Sequence, residues 1–306
     1  MTATLGHAET EAEIEIVGSL SPSRAADFKT CPLLYRFRVI DRLPEAASKA
    51  ASRGTVVHSV LERVYDLPAA ERTNQAAREL VGPAWEQLRE DDPRVRELFD
   101  GDDDGAELAA WLSSAGDLVD NYFALEDPSR LEPAAREELV EIVIDGLRLR
   151  GYVDRIDIAP SGEVRVVDYK TGSVPREAFE AKALFQMKFY ALVLWRSRGD
   201  VPRQLRLMYL ADRDTLTYTP DAGELERFER TLKAIWAAIA KASETGDFRA
   251  SPSRLCGWCD HQALCPSFGG TPPPFPFEAL AASAHGRRPL APSADESPKV
   301  VHADSD

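Results

Sequence analysis

The 306-residue sequence predicts an α/β fold, and three observations predict it. Residues 138–170 carry three β-rich stretches, ELVEIVI, LRLRGYVDRIDI and EVRVVDYK, separated by turn signals. A long amphipathic helix is expected to follow over roughly 176–198, with Gly199 placed to end it. A strand (QLRLMYLA), a shorter one (TLTYT) and a helix from about 221 to 245 then complete the alternation of strands and helices.

The remaining elements follow in chain order. Residues 1–18 read as a flexible acidic leader. Ser21-Pro22-Ser23 opens a short helix, since Ser21 can cap it and Pro22 suits a first position that needs no amide hydrogen. That helix ends near Cys31-Pro32, before the apolar and basic stretch LLYRFRVI. In RGTVVHSVLERVYD (53–66), Val56, Val57, Val60, Leu61 and Val64 recur at helical spacing, with His58 off the stripe. From about 70 to 132 the chain reads as a helical, acidic insertion broken by Asp91-Asp92-Pro93 and Gly101–Gly105. Its acids are read as a solvated face rather than a cation site. Residues 269–306, with seven prolines and few bulky apolar residues, read as a disordered tail.

Composition narrows the class. Hydrophobic residues at 44% and charged residues at 29% describe a globular chain, and no apolar run approaches the ~18 residues of a membrane helix. The acidic start is unlike a signal peptide, which implies a cytoplasmic protein and no membrane partner. A net charge of −14 argues against a polyanionic partner until it is located. Residues 86–145 hold 19 acids and 5 bases, so the rest of the chain balances 32 acids with 32 bases. Between Arg24 and Arg53 seven bases face three acids, which leaves room for a local basic surface.

Two constellations carry chemistry. Cys256, Cys259 and Cys265 form C-x2-C-x5-C, and Cys31 stands alone near the other end. A redox pair or disulfides are the alternatives to a metal centre, and the spacing by itself leaves zinc and iron–sulfur both open. The second constellation is the hairpin at 147–170. A three-residue loop at Pro160-Ser161-Gly162 sets Asp154 directly opposite Asp168, with Lys170 on the same face. Two like charges so placed repel, and a divalent cation between them would offset the repulsion. Taken alone, D-x13-D-x-K also describes an ordinary solvent-facing hairpin edge. Gly54-x3-His58, and Gln186 with Tyr190 one helical turn apart, add to it.

In order, the sequence offers SPSRAADFKTCPLLYRF, GTVVHSVLE, GYVDRID, VVDYKTG, QMKFY and CGWCDHQALCP. This set resembles the RecB-like branch of the PD-(D/E)XK nucleases, and within it the iron–sulfur group of AddB-type nuclease domains and CRISPR-associated RecB-like exonucleases. The resemblance spans about residues 19–268. It implies a central mixed sheet flanked by helices, the αβββαβ core, with a cluster subdomain built from both ends of the chain. It further implies that His58, Asp154 and Asp168, with the Tyr169 carbonyl, ligate Mg²⁺ or Mn²⁺. Lys170 would orient or activate the attacking water, and Gln186 and Tyr190 would position substrate. Cys31, Cys256, Cys259 and Cys265 would hold a [4Fe–4S] cluster, with Zn²⁺ as the alternative.

The chemistry accounts for these residue types independently. Phosphodiester hydrolysis needs a water made nucleophilic near neutral pH and a neutraliser for charge developing on phosphate, and a hard cation on carboxylates supplies both. An imidazole ligand moves the preference toward Mn²⁺. The function expected is a DNA exonuclease acting at single-stranded ends in repair or recombination. An endonuclease, a CRISPR-adaptation trimming nuclease and a catalytically silent DNA-binding scaffold are the alternatives. Lys29 and Lys170, the lysines followed by Thr, lack the glycine of a phosphate-binding loop, so a helicase or repair partner would be a separate chain.

Overall fold

Two turn sequences, Asp145-Gly146 and Pro160-Ser161-Gly162, decide how the central strands align. The computed structural model describes residues 18–174 and 177–277. It contains β1 (Gly18–Leu20), β2 (Ala135–Ile144), β3 (Leu147–Ile158), β4 (Val164–Lys170), β5 (Gln204–Tyr209) and β6 (Asp214–Tyr218). Asp145 and Gly146 both take positive φ, 50° and 80°, as a two-residue type I′ turn requires, and Ile144 faces Leu147 across it. Gly162, at φ 93°, closes the second turn, where Ala159 N donates to Glu163 O at 2.9 Å and Ile158 faces Val164. This is the register expected from the sequence. One edge of β3 carries β2 antiparallel; the other carries β1 parallel at its start and β4 antiparallel at its end. β5 runs parallel to β4 and β6 antiparallel to β5, so the sheet is mixed.

Helices cover both faces. α1 (Pro22–Thr30) is capped by Ser21, whose hydroxyl accepts from Arg24 N at 3.3 Å. α2 (Pro32–Tyr35) widens into a π turn over Arg36–Ile40, where Asp41 N donates to Arg36 O. α3 (Lys49–Arg63), α4 (Asn74–Glu79), α5 (Val81–Asp91) and α6 (Ala106–Leu125) form a layer on one face. α7 (Glu177–Arg198) crosses from β4 to β5 on the other face, and α8 (Ala222–Thr245) starts at the cap Asp221. The valines of β4 divide accordingly. Val164 and Val166 pack with Met187, Phe189 and Leu192 of α7, whereas Val167 and Tyr169 pack with Val60, Trp85 and Tyr122.

Four sequence expectations change. The helical acidic segment from about 70 to 132 is not solvated on every side, because its Trp85, Trp111 and Tyr122 build the core beneath β4 and β5. The expected helix at 176–198 is not amphipathic through its middle. From Met187 to Leu194 every residue except Lys188 is buried, because the helix is sandwiched between the sheet and the helices outside it. The leader's last residue, Gly18, is already strand, while residues 1–17 lie outside the described residues. The expected tail boundary at 269 falls short. Pro273 O accepts from Arg36, and Phe275 stacks on Phe248 with ring centroids 5.7 Å apart. Residues 278–306 lie outside the described residues. Among the described residues no helix is long and apolar enough to cross a membrane.

Candidate active site

The site forms where the ladders on both edges of β3 break at the same level. Between β3 and β4 the last pair is Arg155 with Val167, and the register would set Asp154 against Asp168 next. Asp154 Oδ2 instead accepts from Tyr169 N at 2.7 Å, so a carboxylate replaces the next ladder contact. Between β2 and β3 the pairing steps from Arg136–Arg155 to Glu138–Val153 and leaves out Glu137, which the register places opposite Asp154. Glu137 has φ 44°, a left-handed conformation that costs a non-glycine residue roughly 1–2 kcal/mol. The faces also switch here. Val153 and Ile156 lie in one core although they stand three positions apart, a step that a regular pleat forbids. Glu137, Asp154 and Asp168 therefore form a row across three neighbouring strands.

Helices bring the other groups to this row. Gly54 lets α3 approach β4, since a Cβ there would stand 3.3 Å from Thr171 Oγ1. One turn later, His58 Nε2 lies 3.0 Å from Tyr169 O, and its Nδ1 lies 3.5 Å from Asp154 Oδ1 and 3.7 Å from Glu137 Oε1. On the opposite face, Lys170 Nζ is 2.6 Å from Asp168 Oδ2 and donates to Gln186 Oε1 at 2.8 Å. Gln186 Nε2 donates to Tyr190 OH at 2.9 Å. Tyr190 packs over Gly151, where a Cβ would meet its ring at 2.9 Å. The structure thus joins His58, Asp154, Asp168, Tyr169, Lys170, Gln186 and Tyr190 in one contact network.

The electrostatics are those of buried opposite charges held close together. Burial pushes the Asp168 carboxyl up, Lys170 opposes it, and the Asp154 charge adds to the rise, leaving it at about 6. Asp154 goes the other way. Burial works against its charge, but His58, Lys170 and the Tyr169 amide hold it below the usual carboxylate value. Burial would discharge His58 and Lys170, yet the carboxylates keep both above their ordinary values. Burial, with the Asp168 and Asp154 charges, raises the Tyr190 phenol well above 10, so it stays protonated.

Sequence reasoning missed Glu137. The Asp-Gly turn held the signal, because it fixes the β2–β3 register and so sets Glu137 beside Asp154. One ligand atom from each of His58, Glu137 and Asp154 lies within 4.8 Å of the others. Arg155 was missed too. It is fully buried on the face opposite Lys170, paired with Glu126 at 2.6 Å and donating to Tyr65 OH and Tyr169 OH, each at 2.9 Å.

The cysteines gather at a second place. Cys31, at the end of α1, lines one pocket with Cys256, Cys259 and Cys265 from the segment after α8. All four are free thiols. Ser251 N donates to Cys31 Sγ at 3.4 Å and Ser253 N to Cys256 Sγ at 3.2 Å. Burial raises the Cys259 thiol, and Cys31 and Cys256 raise it further, as like charges sharing a small space do. Among the described residues no three cysteine sulfurs come within 4.8 Å of one another. Two chain segments are stitched around the pocket by Leu33 N to Arg249 O at 3.3 Å and by His261 Nε2 against Glu45 at 3.0 Å.

Comparison with known proteins agrees with this arrangement. The profile of the PD-(D/E)XK nuclease superfamily matches residues 19–266. The Gene 69 proteins of Mycobacterium phages L5 and D29 are each 25% identical to the chain, over 290 and 279 residues, covering 81% of it and 96% of their own length. A crystal structure from Eubacterium rectale, provisionally named an exonuclease, superposes with a TM-score of 0.54 at 15% identity, covering 92% of this chain and 99% of its own. That last likeness speaks for the fold alone.

Proposed function

The chain belongs to the PD-(D/E)XK nuclease superfamily, and from that premise we propose that it is a divalent-cation-dependent deoxyribonuclease that removes nucleotides from single-stranded DNA ends. The observation that carries this reading is the meeting of Asp154, Asp168 and Lys170 with His58 at the break in the sheet. The donor set is carboxylate oxygen with one imidazole, which fits Mg²⁺ and fits Mn²⁺ better. His58, Asp154 and Asp168 would hold the cation, which when bound supplies an activated water and neutralises charge on the phosphate.

The protein's own groups do the rest. The neighbouring carboxylates keep Lys170 charged, so it acts as a fixed positive charge beside the reacting phosphate and an orienter of water rather than as a base. Gln186 accepts from Lys170 and donates to Tyr190, which restrains the ammonium and leaves the phenol hydrogen free to meet substrate. Arg155 and its tyrosines support β3 and β4 from behind. The conformation that presents the site is then fixed before substrate arrives.

The cysteine pocket belongs to the same reading as a [4Fe–4S] site of the RecB-like iron–sulfur branch. Four thiols with amide donors aimed at two of the sulfurs suit a cluster. Tetrahedral zinc, with Zn–S near 2.3 Å, needs its sulfurs about 3.8 Å from one another, whereas among the described residues no three of these lie within 4.8 Å. The cluster would join the two ends of the chain around the pocket and act structurally.

The test is Mn²⁺-dependent degradation of end-labelled linear single-stranded DNA by wild type, Asp168→Ala and Lys170→Ala. Wild type is expected to degrade it and both variants to lose at least a hundredfold in rate with unchanged circular dichroism. Equal rates in all three would sink the assignment, and cleavage of circular single strands would make the enzyme an endonuclease.

A further inference from the structure

Beyond the break in the sheet, one face of β2 and β3 carries a row of charged and aromatic side chains that the candidate site does not use. Side chains alternate along a strand, so the register decides which of them share a face. Val140, Ile142 and Ile144 of β2, with Leu147, Leu149 and Val153 of β3, lie in the core under α7. Leu139, Glu141 and Val143 point the other way, opposite Tyr152, Arg150 and Arg148 in turn. α3 to α6 cover this second face at β4 and β5, but among the described residues neither core includes Leu139, Val143 or Tyr152. Leu139 is 38% exposed, and Tyr152, Arg148 and Arg150 are half-buried. Both arginines keep their charge on the face. Among the described residues Arg150 has no ion pair, and Arg148 has only the approach of Glu141 Oε1 to its Nε at 3.9 Å, too long for a hydrogen bond.

We propose that this face is the path along which single-stranded DNA reaches the site, with a base stacked on Tyr152 and phosphates held by Arg150 and Arg148. The row is continuous with the site. Tyr152, Arg150 and Arg148 stand two, four and six residues before Asp154, which at ~3.3 Å per residue is about 7, 13 and 20 Å along β3. An aromatic ring beside a line of positive charge suits an unpaired strand, whose bases are open to stack while its backbone follows the cations. A duplex keeps its bases stacked inside and offers the Tyr152 ring no partner. The half-buried arginine stems lie along the sheet, so the guanidinium groups are held in place for phosphate before the strand arrives. Glu141, whose side chain is 43% exposed on the same face, opposes a polyanion there. Its removal should therefore strengthen binding.

This inference deepens the proposed nuclease reading and rests on it, but its test measures binding without cleavage. Fluorescence anisotropy of a labelled oligothymidylate is followed in EDTA across a series of salt concentrations, with thermal melts of each protein alongside. Tyr152→Ala should bind about tenfold more weakly and Tyr152→Phe within about twofold of wild type, because stacking needs the ring and not the hydroxyl. Arg148→Ala and Arg150→Ala should each weaken binding about three- to tenfold and flatten the salt slope by about 0.7. Arg198→Ala makes the same charge change at the exposed end of α7, on the opposite face, and should leave the affinity as it is. Glu141→Gln should bind more tightly than wild type, a gain that a merely structural role for the row would not give. Unchanged affinity in Tyr152→Ala and both arginine variants would overturn the path, while DNA degradation by wild type would leave the nuclease reading intact. The expected binding pattern in a protein that cleaves nothing with Mn²⁺ would keep the path and overturn the nuclease reading. Tighter binding of a blunt duplex, with the same losses, would overturn the single-strand assignment, and a dimer that these substitutions dissociate would give the face to a second copy of the chain.

Discussion

Asp168 is a carboxyl whose burial works against folding. It is 1% exposed, lies beside Asp154, and its carboxyl titrates at about 6 against 3.8 for an ordinary aspartate. A raised acid binds its proton more tightly in the folded state. Its contribution to stability is therefore full below about pH 4 and lost as the pH rises through 6. Metal-free Asp168→Asn should accordingly melt above wild type by an amount that opens between pH 4 and 6.5, of order 2 kcal/mol. The difference should shrink on adding Mn²⁺ to wild type. A gap that stays constant with pH would show that Asp168 does not carry this cost. At this scale the gathering of His58, Asp154, Asp168, Lys170, Gln186 and Tyr190 in one place was legible from the sequence, since residue type and spacing limit what can share a face. Glu137 was missed although the Asp145-Gly146 turn sets it beside Asp154, because its departure from the ladder at a single φ angle leaves no compositional trace.

Elements matter through what they force on one another. β3 supplies Asp154 to the candidate site and, one residue later, Arg155 to the opposite core, so a single strand couples the geometry of that site to a buried ion pair. Glu126, at the end of α6, accepts from Arg155, and Arg206 stands 2.8 Å from it as well. Breaking a buried pair from one side leaves the other charge stranded. Arg155→Ala is therefore expected to cost about 3 kcal/mol, partly limited by Arg206, and to be read as a lower urea midpoint. A change under about 0.5 kcal/mol would show that the tyrosines and Arg206 alone satisfy Glu126. The sequence marked the strands and most helices through periodicity and turn residues, yet it presented α4 to α6 as an acidic addition. Charge on their outer surface masked Trp85, Trp111 and Tyr122, whose shared role appears only when the helices lie against β4 and β5.

For the molecule as a whole, the two ends of the described chain meet at the cysteine pocket, and a cluster there would close a loop of more than 200 residues. A crosslink of that span restricts the unfolded chain strongly. Anaerobically purified protein is expected to be brown, absorbing near 400 nm. Cys31→Ala and Cys256→Ala should each lose the colour and melt at a markedly lower temperature. A colourless wild type with stoichiometric zinc, or a Cys31→Ala protein of wild-type melting temperature, would refute this.

The sequence by itself determined the sheet register, through Asp145-Gly146 and Pro160-Ser161-Gly162, because turn geometry is local and a period of two propagates it along the strands. It determined the family motifs for the same reason, as short patterns of fixed spacing. Only the tertiary structure decided that the acidic helices build a core layer beneath β4 and β5 and that Phe275 stacks on Phe248. It alone turned His58 so that Nδ1 faces Glu137 and Asp154. These depend on contacts between residues far apart in the chain, and their energy comes from burial and from charges brought together, which no local pattern encodes.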